Sequence, residues 1–133
     1  MPAFIRSITM DCEHPARLAR FWAEALGYHV RAYDDAELAR LRSIGIDDVE
    51  NDPSVAIDPP NDSLPAIFFA KVPEPKTVKN RMHLDIAAPK GMAAEVRRLT
   101  LLGATVVRPF DEDIGMWTVM ADPEGNEFCV EER

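Results

Sequence analysis

MHLDIAAPKGMAAEVRRLTLLGATVV, residues 82–107, holds a strand, a helix and a second strand in one run. Over 82–88 the side chains alternate: Met82, Leu84 and Ile86 take one face, His83 and Asp85 the other. Such period-two alternation reads as a half-buried strand. Over 91–102, Met92, Val96 and Leu99 fall on one helical stripe, and Gly103 stands where a left-handed cap would end the helix. ATVVRPF then resumes an extended pattern.

The same order stands 76 residues earlier. FIRSITMD (4–11) alternates, with Ile8 and Met10 opposite Ser7, Thr9 and Asp11. Residues 15–26 follow as a helix. Leu18, Phe21, Trp22, Ala25 and Leu26 form its apolar stripe, Pro15 suits its first turn and Gly27 its cap. YHVRAY (28–33) is a second strand. The offset sets Ser7 on His83 and Thr9 on Asp85, so the polar faces of the two opening strands coincide.

Outward from these copies, AIFFAKV (66–72), MWTVMA (116–121) and NEFCVEE (126–132) read as strands, with DPEG a turn before the last. Residues 34–65 read as a long excursion with some helical character, a short strand near 55–57 and many turn residues, a candidate lid. The expected fold class is α+β. Two βαβββ modules, about 1–73 and 80–133 of a single domain, form a half-open, curved eight-stranded sheet. Each sheet carries a helix on one face, and the uncovered faces line a central cavity.

Composition narrows the function. The 133 residues are 47% hydrophobic and 29% charged, with a net charge of -8. That is a globular profile with no basic stripe, so nucleic acid is not an expected partner. No apolar run reaches bilayer length and the N-terminus lacks a signal-like segment, so no membrane association and a cytoplasmic location are expected. Cys12 and Cys129 form no CxxC pair, which excludes a zinc ribbon or a redox motif. Glycine-rich phosphate loops, GxSxG and HExxH are absent from the sequence.

DCEHPARLARFWAEALGY, VPEPKTVKNRMHLDI, LLGATVV and ADPEGNEFCV together resemble the glyoxalase-like branch of the vicinal oxygen chelate superfamily (glyoxalase, bleomycin resistance and dioxygenase proteins). DPEGNEF and KNRMHLD are the most specific parts. The resemblance implies paired βαβββ modules, commonly homodimers, that bind small molecules. In the superfamily's metal enzymes, His or Glu side chains from the first and last strands of each module hold a divalent ion. Carried over, those positions are Ser7, Phe69 (or Phe68), His83 and Cys129, of which His83 alone matches.

A metal enzyme site takes about three protein ligands. No cofactor is therefore expected; the alternative is a divalent ion at His83, with Asp85 and Cys129 as rearranged partners. His83 is the candidate catalytic residue, as a general base if the site is metal-free. Without chemistry it is a polar residue hydrogen-bonded across the sheet. Cys129 reads as a small buried hydrophobe, or as a thiolate if Arg81, Lys71 or His83 lowers its pKa. Arg81, in the basic run KNR, either clamps an anionic ligand or pairs with a surface acid. Trp117 lines the cavity or packs under a helix. Ser7, Phe69, Arg81, Asp85, Cys129 and Trp117 are the expected ligand contacts. Three functions follow: a small-molecule-binding module, a lyase, isomerase or dioxygenase-type enzyme centred on His83, or an accessory domain whose role is dimerisation.

Overall fold

In the computed structural model, which describes residues 1–132, the chain divides into two compact units, Met1–Pro75 and Lys76–Arg133. The division falls in the proline-bearing connector PEPK, where the ring nitrogen of each proline offers no hydrogen to a sheet.

The first unit runs β1 (Ser7–Cys12), α1 (Pro15–Leu26), β2 (His29–Val30), α2 (Asp35–Ser43), a 3-10 turn (Val49–Asn51), β3 (Ser54–Asp58) and β4 (Ala66–Lys71). The second runs β5 (Leu84–Ala88), α3 (Met92–Leu102), β6 (Thr105–Glu112), β7 (Gly115–Ala121) and β8 (Glu127–Glu132). Each unit holds a four-stranded mixed sheet, in the orders β1-β4-β3-β2 and β5-β8-β7-β6. The opening strand lies parallel to the closing one in both. Gly27 and Gly103, 76 positions apart, both cap their helices with positive φ, +69° and +119°. A side chain at either would strain the turn, since L-residues avoid that region.

One face of each sheet packs on a helix. In the first unit Val55, Ile57, Ile67 and Phe69 are buried beneath α1, together with Leu18 and Trp22 of that helix. Phe128, Val130, Met120 and Leu99 do the same work with α3 in the second. Burying each of these larger side chains contributes about 1.5–3 kcal/mol. That apolar stripe explains why two different sequences settle into one topology.

The segment 34–65 departs from its reading as an excursion. Asp34 caps α2 by accepting from Glu37 N at 2.8 Å. Val55 and Ile57 alternate with Ser54 and Ala56, so β3 fits between β4 and β2 as an interior strand. The short strand near 55–57 is therefore part of the sheet. Conversely, the strand expected over 28–33 shrinks to His29–Val30. One further ladder bond, Arg31 N to Ala56 O at 2.9 Å, follows before the chain turns toward α2. The strand expected from Met82 begins at Leu84, so His83 stands just ahead of it.

Candidate functional site

The face of each sheet that carries no helix is where chemistry can meet a ligand, and register assigns its residues. Side chains paired across a ladder share a face. In the second unit Asp85 pairs with Cys129, Val119 with Cys129, and Trp117 with Glu131 and Phe110. Asp85, Cys129, Glu127, Trp117 and Phe110 therefore occupy the open face. Trp117, which sequence parity left between cavity and core, belongs to the open side.

Arg108 joins them through a β-bulge. Val106 pairs with Met120, yet Arg108 pairs with Val119, so Val107 is the extra residue. A bulge resets alternation. Without it Arg108 and Phe110 would share the helix face with Val106. With it, the Phe110 and Trp117 rings stack at 5.1 Å with planes 7° apart, and the Arg108 guanidinium lies 4.5 Å from the Phe110 ring centre. Guanidinium over an aromatic face is an attractive arrangement. Sequence reading missed Arg108 and Phe110, because strict period two across Thr105–Glu112 gives the wrong face.

Cys129 Sγ lies 3.8 Å from His83 Nδ1. Burial raises the Cys129 thiol pKa, the neighbouring Asp85 carboxylate adds to it by charge and hydrogen bond, and Glu131 and Glu127 add more; the result is about 11. The thiol therefore keeps its proton at neutral pH. Of the neighbours named for a thiolate, His83 is the one in contact, while the charges that shift the thiol, those of Asp85, Glu131 and Glu127, all favour the protonated form. His83 meets Cys129 across the sheet.

The KNR run divides its labour. Lys79 Nζ binds Glu127 Oε1 at 2.9 Å, and Asn80 Oδ1 accepts from Glu127 N at 3.2 Å. These contacts tie the connector to the start of β8, and Lys79 holds the Glu127 carboxyl below its usual range. Arg81 is exposed and makes no ion pair among the described residues. DPEG is a structural turn: the Asp122 carboxylate accepts from Glu124 N, Asn126 N and Asn126 Nδ2 at 2.9–3.2 Å.

In the first unit the corresponding strand pair is β1–β4. Ile8 pairs with Ile67 as Leu84 pairs with Phe128, so Thr9–Phe68 answers Asp85–Cys129. The open-face position on β4 is therefore Phe68. Phe69 is 0% exposed, on the same side as Ile67 beneath α1, and its assignment as a ligand contact is corrected. Ser7 is exposed at the start of β1.

Taken unit by unit, the positions carried over from the superfamily's metal enzymes offer few metal donors. Ser7 and Phe68 offer no imidazole or carboxylate. The second unit supplies the His83 imidazole and the Cys129 thiol at those positions, fewer than the about three protein ligands a metal enzyme site takes. Among the described residues no three His, Cys, Asp or Glu side chains are grouped to hold an ion. Nor is any described helix long and apolar enough to cross a membrane.

Two mixed four-stranded sheets of one topology, each backed by a helix, define the glyoxalase/bleomycin resistance fold. A glyoxalase/bleomycin resistance protein/dioxygenase family enzyme from Burkholderia phytofirmans superimposes with a TM-score of 0.67 at 15% identity, over 98% of this chain and 98% of that one. A superfamily member from Sphaerobacter thermophilus gives 0.63 at 18%, over 99% and 98%. The fosfomycin resistance protein FosX of Listeria monocytogenes, in a mutant form complexed with Mn(II) and 1S,2S-dihydroxypropylphosphonic acid, gives 0.68 at 9%, over 98% and 90%. At such identities the likeness speaks for the fold alone. The model of the Glyoxalase-like domain matches residues 7–131, and the chain belongs to that family. No curated protein matches the sequence.

Proposed function

We propose that this chain is a small-molecule-binding module that holds its ligand without the superfamily's metal. One observation carries the reading. The second unit's last-strand position, where the superfamily's metal enzymes carry His or Glu, is Cys129, and His83 beside it is the one residue that matches their ligand set. The Cys129 thiol and the His83 imidazole give that face two hydrogen-bonding groups. The Phe110–Trp117 stack on the same face supplies a flat apolar platform. Recognition pockets commonly combine such a surface with a few placed polar groups. Arg81, exposed and free of an acidic partner among the described residues, stands near in sequence to meet an acidic substituent.

The test is a thermal-shift screen of small aromatic and carboxylate compounds with chelator present. A ligand specific to the folded state raises the melting temperature. Stabilisers that act with chelator and fail on Trp117→Ala support the reading. Stabilisation that appears on adding metal and vanishes with chelator opposes it.

A further inference from the structure

A cavity of about 310 Å³ is lined wholly by residues of the first unit. Its floor is the open face of β3 and β4, at Ala56 and Phe68, and α2 contributes Glu37 and Arg40 to its wall. The volume falls at the lower end of the range for small-molecule pockets, enough for a one-ring compound. Nothing in the reading of His83 or Cys129 involves it.

The charge inventory identifies what would fit. Arg31 lies 5.2 Å over the Phe68 ring, and its fork is filled by Asp58, with Nε and Nη2 donating to the two carboxylate oxygens at 2.9 and 2.7 Å. Its charge is thus engaged. Arg40 reaches Glu37 at a looser 3.4 Å. Glu37 lines the cavity, and its charge reaches Arg31 and Tyr33, whose pKa values it raises. Asp34 and Asp52 line the same space and have no cationic partner among the described residues. Tyr33 is held as a neutral phenol, first by burial and then by donating to Asp52 Oδ2 at 2.7 Å. The cavity therefore joins an apolar floor to an excess of carboxylate, in a chain of net charge -8.

We propose that this cavity is a binding site for a small organic cation: an amine whose ring rests toward Phe68 and Ala56 and whose ammonium meets Glu37 and Asp34. Arg40 competes for Glu37, so it opposes such a ligand.

Three probes of nearly one shape separate charge from bulk: benzylamine, benzyl alcohol and benzoate. Amide chemical shifts are followed during titration of the full chain. Benzylamine is expected to shift residues 31–40 and 52–56, and to bind more tightly than the other two. Glu37→Gln, an exposed helix position that tolerates the change, is expected to weaken benzylamine about fivefold, the scale of a partly exposed ion pair. Arg40→Gln is expected to tighten it. Benzoate binding best, or Arg40→Gln weakening benzylamine, would overturn the proposal, as would shifts confined to the second unit. A perturbation at 31–40 with none around Cys129 also distinguishes this site from the function proposed above.

Discussion

The two units share a strand order, a helix and a glycine cap, yet their open faces differ in kind. The first presents Ser7, Thr9, Phe68 and the Arg31–Asp58 pair. The second presents His83, Asp85 and Cys129 beside a stack of Arg108, Phe110 and Trp117. The buried faces were held to one solution by the need to cover an apolar stripe. The open faces were free to diverge, so function is written in them and fold is not.

That contrast makes the buried positions the most sensitive. Phe128→Ala is expected to destabilise the protein by about 3–5 kcal/mol, and Ile67→Ala, its counterpart in the first unit, by about 2–5 kcal/mol. Urea unfolding checks both. If either substitution were nearly neutral, the shared-core half of the comparison would fail. Asp122→Ala comes next. It strips the acceptor from the turn before β8 and leaves backbone donors of Glu124 and Asn126 unmet, for about 1–3 kcal/mol.

A smaller effect probes the open face. The Cys129 thiol pKa is raised on folding, so its contribution to stability is complete below the ordinary thiol range. It is lost as pH climbs from about 9 to about 11, where the unfolded chain ionises and the folded one does not. Thiolate absorbance should show a midpoint near 11 for Cys129. Asp85→Asn should bring it part of the way down, because burial remains the larger cause. A midpoint at or below the ordinary thiol value would mean that a cation, not Asp85, governs the site.

Much of the fold was legible in residues 82–107 and their earlier copy, since strand alternation and helical stripes are local signals. Segment 34–65 was not: the partners that make β3 an interior strand, Phe68 and Val30 among the residues they bring, lie outside it in sequence. At the site, parity correctly grouped His83, Asp85 and Cys129 but chose Phe69 over Phe68. The run IFFA is apolar on both faces, and only pairing with Thr9 separates them. Arg108 and Phe110 were hidden because one inserted residue, Val107, reverses the alternation.

The central claim concerns metal, and metal content after equilibration tests it most directly. Protein prepared without chelator would be dialysed against Mn(II) and, separately, Zn(II), then freed of excess and assayed for bound ion. One matching imidazole, with Cys129 in place of a His or Glu ligand, predicts far less than one ion per chain, unchanged by His83→Ala. One tightly held equivalent that His83→Ala removes would contradict the account.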